Sequence, residues 1–336
     1  MAKRKETKKE KNRKRKILLA LLLVIFTGLI LTANTYAWFT SNKTITVDAI
    51  DVQVTSANGI QVSTDATTWK TKISNTDLNN TLLASTLYPS NVNQLPFKST
   101  DNTVKPVSTG GTIADGKLNM YLGELGSDTS GATTLTTTKS TEAKGASGDF
   151  VAFDLFFLVS QNSVVKLGAG SSVTTSTGAT NKGLKNAARA AFIKLGHSAT
   201  GAVSDVQGAN SGTDLLIWEP NNNVHTDAAI ADALSTYGMT VTSNQVMANY
   251  YGVDAVISSG VSLNPIVAGT NFKQVTPNIK TSDGALTADQ DWFSLDAGIT
   301  KVRFYLWIEG QDVDCENNAS GDAISYNMNF VLQDNN

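Results

Sequence analysis

Apolar and polar side chains alternate with period two over several stretches of this chain. Near the C-terminus, Ile324, Tyr326, Met328, Phe330 and Leu332 fall on one face, with Ser325, Asn327, Asn329 and Gln333 on the other. That is the pattern of a strand with one face in a core. In KVRFYLWIEG, Val302, Phe304, Leu306 and Ile308 share one face, opposite Lys301, Arg303, Tyr305, Trp307 and Glu309. The stretch FVAFDLFFLV, 150–159, is apolar on nearly both faces, which predicts a central strand covered on both sides.

A further strand lies towards the N-terminus. Ile45, Val47 and Ala49 alternate with Thr44, Thr46 and Asp48, and then Ile50, Val52 and Val54 alternate with Asp51 and Gln53. The apolar phase slips by one between Ala49 and Ile50, which predicts a bulge or a change of sheet. Asn58-Gly59 reads as a hairpin turn, with Ile60 and Val62 opening a returning strand towards Trp69.

Helix is scarce. The segment 226–237 predicts one, with Thr226 or Asp227 as cap, an apolar stripe of Ile230, Leu234 and Tyr237, and Gly238 as terminator. The segment 184–194 fits either helix or strand. Three tracts rich in Thr, Ser and Gly, 126–148, 168–183 and 198–213, read as long surface loops. The expected fold is all-β: one elaborated β-sandwich with long Thr/Ser/Gly-rich loops and one or two short helices.

The first residues change the picture. Residues 1–16 hold ten Lys or Arg and two Glu, and 17–31, ILLALLLVIFTGLIL, carry no charge. A basic block, an apolar block and then small or polar residues is the plan of a secretory signal. Thr35 and Ala37 are small residues where a signal peptidase reads, so cleavage after Ala37 would leave Trp38 as the new N-terminus. The alternative is an uncleaved membrane anchor with Tyr36 and Trp38 at the interface. The expected organisation is therefore 1–37 as signal peptide or anchor and 38–336 as a single domain. The whole chain has 27 basic and 29 acidic residues; the first 37 hold 10 and 2, which leaves 17 and 27 and a net charge of −10. An acidic exported domain is a poor nucleic-acid binder, because phosphate contacts need clustered Lys and Arg. One cysteine, Cys315, allows no internal disulfide, so the core must hold the fold.

The chain offers little catalytic chemistry. His197 and His225 lie in no HExxH, and neither a GxSxG elbow nor a P-loop occurs. His225, just before the expected helix, reads as a cap or loop residue. Trp218 and Trp307 read as core or sheet packing rather than sugar platforms. Asp312, Asp314 and Glu316 stand at i, i+2, i+4. In a curved loop their oxygens could converge on calcium; the favoured reading is a solvated acidic turn between two strands, with no cofactor.

The segment NTYAWFTSNKTITVDAIDVQVTSANGIQVS resembles the N-terminal region of the TasA/camelysin family of exported bacterial proteins. In that family a T-x-A cleavage site precedes an aromatic pair and a small polar residue, which Thr35, Tyr36, Ala37, Trp38, Phe39 and Thr40 match. The resemblance implies a dedicated, SipW-type signal peptidase as partner, a jelly-roll sandwich, and extracellular matrix fibres in which the N-terminal strand of one subunit completes a neighbour's sheet. The family's described metalloprotease activity is not carried over, since no zinc motif is recognisable. The donor strand would include Ile45, Val47 and Ala49, with residues 38–48 handed to another subunit and 50–54 kept in the parent sheet. The expected function is a non-enzymatic structural protein of the cell surface or biofilm-type matrix, self-associating into filaments. The alternatives are a membrane-anchored adhesin, a module that binds polysaccharide or peptide, and a secreted hydrolase.

Overall fold

A computed structural model describes residues 45–55, 59–79, 103–142, 148–237, 251–263, 269–275, 279–316, 319 and 321–333. The fold is an all-β sandwich. One sheet contains seven strands: β1 (Ile45–Thr55), β3 (Lys72–Ile73), β4 (Thr103–Val104), β11 (Ser163–Leu167), β12 (Ser172–Thr175), β19 (Gln290–Leu295) and β21 (Ala323–Leu332). The other contains ten. Its first five are β2 (Gln61–Ser63), β5 (Pro106–Ser108), β8 (Met120–Ser127), β9 (Thr133–Ser140) and β10 (Val151–Val159). The rest are β13 (Ala188–Ser198), β14 (Asp214–Pro220), β16 (Ile257–Ser262), β18 (Ile279–Ser282) and β20 (Gly298–Glu309). Two short pairs, β6 (Ile113–Ala114) with β7 (Lys117–Leu118) and β15 (Tyr251–Val253) with β17 (Phe272–Gln274), are attached to this frame. The described helices are α1 (Asn75–Leu78), α2 (Val203–Gln207) and α3 (Asp227–Tyr237).

The first and last strands lie side by side and parallel, from Thr46 opposite Ala323 to Thr55 opposite Val331. The register shifts between Val47 and Ala49, so the expected phase slip is a bulge at Asp48. Its effect is to keep Ile45, Val47, Ile50, Val52 and Val54 all in the core. The other side of β1 is covered at its ends by β4, opposite Ile45 and Thr46, and by β3, opposite Val52 and Gln53. Between them the Asn75 side chain stands in for a strand: its Nδ2 donates to the Asp48 carbonyl at 2.8 Å, and its Oδ1 accepts from Ile50 N at 3.0 Å. The chain after Gly59 does not return beside β1. Residues 61–63 cross to the other sheet as β2 and pair with β10, and β3 is the antiparallel neighbour of β1.

The main core fills the space between the sheets. Its centre is aromatic: Phe157, Phe192, Trp292, Phe304 and Phe330, with Trp292 and Phe330 ring centroids 4.3 Å apart and Phe192 edge-on to Phe304 at 5.0 Å. Such contacts add to the area buried. The ten-stranded sheet has a second apolar layer on its far face, where Met120, Phe150, Ala191, Ile193, Ile217, Tyr305 and Trp307 pack. β10 is covered on both faces, as its sequence predicts, and β20 is buried along nearly its whole length.

The residues opposite the apolar face of β20 are held by the long connections. Lys301 Nζ donates to the carbonyls of Gln207 at 2.9 Å and Ala209 at 3.1 Å. Arg303 Nη1 donates to the Gly116 carbonyl and to Asn210 Oδ1. Tyr305 Oη accepts from Leu118 N and donates to Glu142. The tracts read as loops are thus partly structured: 126–148 contains β9, 168–183 contains β12, and 198–213 contains α2. The ambiguous segment 184–194 is a turn of 3-10 helix, Leu184–Ala187, running straight into β13. α3 forms where expected, with Thr226 Oγ1 accepting from Ala229 N; among its described side chains Ala229 is buried and Leu234 is exposed. Among the described residues no helix is long and apolar enough to cross a membrane.

Candidate functional site

Most of the buried ionic side chains among the described residues gather in two places; Asp65 and Asp322 lie apart, each accepting main-chain N–H groups. The first lies across β10 and β20. Asp154 is cross-strand to Arg303, which grips it through Nε at 2.7 Å and Nη2 at 3.0 Å. Lys301, two residues along the same face, adds its Nζ to Asp154 Oδ2 at 3.0 Å. Burial drives the Asp154 carboxyl up, but the charges of Arg303 and Lys301 outweigh it and hold it below the usual carboxylate range. The Lys301 ammonium is shifted down by burial, against the pull of Asp154. Two cations and several carbonyls around one carboxylate make a closed structural knot, with no open face for a substrate.

The second place lies under the loop that follows β20. Glu309, Asp312, Asp314 and Glu316 are buried there, together with Glu219 at the end of β14. The favoured reading of 312–316 as a solvated acidic turn is therefore corrected. The turn is folded inward, stitched by Asp312 N to the Glu309 carbonyl and Cys315 N to the Asp312 carbonyl. Cys315 is buried. Burial raises its thiol well above the ordinary range, and Asp312, Glu309, Glu316 and Asp314 push it further in the same direction.

Three other segments meet this loop. Arg189, at the start of β13, donates through Nη2 to Glu219 Oε1 and Asp312 Oδ2, and through Nη1 to the carbonyls of Asn186 and Ala188 at 2.9 Å. His225 approaches from the connection before α3, its Nδ1 2.6 Å from Asp314 Oδ2. Thr226 N donates to Asp314 Oδ1 at 3.0 Å. Asn186, from the 3-10 turn, sets its Nδ2 3.4 Å from the same oxygen. The local backbone explains the arrangement. Asn221 adopts a positive φ of 60° and anchors the connection by donating to the carbonyls of Val173 and Lys185. Gly183 has φ 94°, and a Cβ there would meet Thr226 Cγ2 at 2.3 Å, so glycine lets the two segments close.

The electrostatics differ from those of the first knot. Burial raises Glu219 and Asp314 above the usual range, and the opposing pulls of Arg189 on Glu219 and of His225 on Asp314 do not bring them back. The ligand-capable atoms of His225, Asp312 and Asp314 all lie within 4.8 Å of one another. Two of the three calcium candidates, Asp312 and Asp314, are thus brought together; Glu316 is buried nearby but outside this set, and an imidazole takes the third place. His225 is more than the cap or loop residue its sequence suggests. A histidine directly before a helix cap is the one local signal it offers; its partner Asp314 is 89 residues away.

The remaining candidates fall elsewhere. Trp218 and Trp307 are fully buried core residues. His197 lines a shallow surface depression of about 180 Å³ with Lys194, Ser294, Asp296 and Thr300, smaller than ligand pockets generally are. Ile45 and Val47 are buried in the chain's own sheet, paired with β4 and β21, and Ala49 is half-buried beside the bulge. A single chain therefore keeps residues 45–48 in the parent sheet together with 50–54. The signal-cleavage residues Thr35, Ala37 and Trp38 lie outside the described residues. Comparison with protein-family models, curated proteins and solved structures finds no match.

Proposed function

We propose that this chain is an exported, non-enzymatic structural protein of the cell surface or extracellular matrix, which assembles with copies of itself by exchanging its first strand. The observation that carries this reading is the setting of β1. Among the described residues it is the first strand of the sandwich, and its continuous pairing is with β21 alone. The opposite edge holds two residue pairs with β3, two with β4, and the Asn75 amide between them. A terminal strand of this kind can leave without unthreading the chain and can occupy the same slot in a neighbour with the same five apolar side chains. A basic leader, an acidic remainder and the absence of disulfides fit export and assembly. Glu219, Asp312 and Asp314 are tied to Arg189 and His225 in the interior, which suits a structural role better than turnover.

The test uses Thr46 and Ala323, which are half-buried and directly opposite in register. The protein carrying Thr46→Cys and Ala323→Cys, recovered as released by the cell, is concentrated, seeded, viewed by electron microscopy and then oxidised. Exchange predicts fibres that yield a ladder of covalent multimers on a non-reducing gel. Fibres that yield only crosslinked monomer would rule out exchange of this strand. A wild-type protein that stays monomeric after seeding would remove the assembly reading and leave a monomeric surface protein.

A further inference from the structure

We infer that His225, Asp312, Asp314 and Asn186 form a structural site for a divalent cation of the zinc class, an inference that stands apart from the assembly reading. Imidazole nitrogen with carboxylate oxygen is a donor set that Zn²⁺ accepts, and the three ionisable ligands already lie within 4.8 Å of one another. Calcium, the ion suggested by the acidic spacing alone, takes oxygen ligands and is the poorer match to a site that presents imidazole.

One observation beyond the cluster itself points to a cation.

That observation is Asn186. It is 3 % exposed, and its Oδ1 is buried with no hydrogen-bond partner, while its Nδ2 makes a long 3.4 Å approach to Asp314 Oδ1. Turning the amide over would set two oxygens against each other, which repels unless a cation lies between them. With the cation there, the orphaned carbonyl becomes a fourth donor.

Binding requires little movement. The proton between His225 Nδ1 and Asp314 Oδ2 leaves to solvent, and the 2.6 Å gap opens to about 3.3 Å to admit an ion with ligands at about 2.0–2.1 Å. The supporting contacts are in place: Thr226 N and Arg189 orient the two carboxylates. The His225 side chain is 4 % exposed and Asp314 fully buried, so the ion would staple the connections around 186, 225 and 312 rather than receive a substrate.

The experiment is titration of the chelator-treated full chain with Zn²⁺, followed by native mass spectrometry and thermal melting, with Ca²⁺ in a parallel arm. The expected result is one Zn²⁺ per chain and a melting point raised by about 5 °C at a hundredfold excess over Kd. His225→Gln and Asn186→Ala should weaken binding tenfold or more, with far-UV circular dichroism showing that both remain folded, and His197→Gln should leave binding unchanged. A wild-type chain that takes up no stoichiometric Zn²⁺ overturns the inference, whatever the variants do. So does Zn²⁺ binding that His197→Gln abolishes, or Ca²⁺ binding that is indifferent to His225→Gln in a chain that ignores Zn²⁺.

Discussion

The two buried ionic clusters have opposite compositions. Around Asp154 two cations and the carbonyls of Gln207, Ala209 and Gly116 enclose one carboxylate, which is held ionised below its ordinary range. Around Arg189 one guanidinium serves Glu219 and Asp312, Asp314 relies on His225, and Glu219 and Asp314 are pushed up by burial. The first cluster closes on itself, with every cation also held by main-chain carbonyls, and fixes loops to the far face of β20. The second brings the ligand-capable atoms of His225, Asp312 and Asp314 within 4.8 Å of one another, a convergence that a ligand can satisfy. Burial alone does not distinguish a structural knot from a receptive site; the mix of donor atoms that converge does.

The sharpest way to break this contrast is Arg189→Met. It strips the cation from Glu219 and Asp312 while keeping the volume, and a loss of about 4 kcal/mol is expected, roughly 10 °C in melting temperature. A loss below 1 kcal/mol, measured by urea unfolding, would mean that the carboxylates are neutral in the native state. Asp154→Asn comes next, with about 3 kcal/mol, because Lys301 and Arg303 are left buried beside a neutral amide.

The smallest effect is expected from the matching change in the acidic cluster. Glu219→Gln should alter the stability of the metal-free protein by less than about 1 kcal/mol, since the native state already resists ionisation there. The pH dependence should separate the clusters by sign. The Asp154 contribution is present above the ordinary carboxylate value and disappears as pH falls through the lower folded value. Glu219 runs the other way: its folded value is raised, so the wild type should gain on Glu219→Gln as pH falls from the raised folded value towards about 4.3. Unfolding curves of wild type and both variants across pH 3–7 would expose parallel rather than opposed trends, and parallel trends would remove the distinction.

Much of the sandwich is legible in the sequence because period-two patterning is local. β1 with its slip, β10, β20, β21 and α3 all announce themselves in this way. What patterning cannot show is what covers the second face of a strand. Lys301 and Arg303 look like solvent-facing residues, yet segments around 116 and 207–210 lie over them. β9 hides in TTLTTTKS because threonine serves a half-buried strand as well as it serves a loop. The acidic cluster is legible only in part: the spacing of Asp312 and Asp314 is visible, but Arg189 and His225 join them from 123 and 89 residues away. Charged side chains so far apart in sequence carry no mutual signal until the fold joins them.

The parallel pairing of β1 with β21 has a kinetic consequence. Among the described residues β1 finds its continuous neighbour in β21, so the seven-stranded sheet cannot close until residues 323–332 have been made. Until then Ile45, Val47, Ile50, Val52 and Val54 have no long-lived place to rest. The sandwich therefore closes as a late event rather than growing strand by strand from β1.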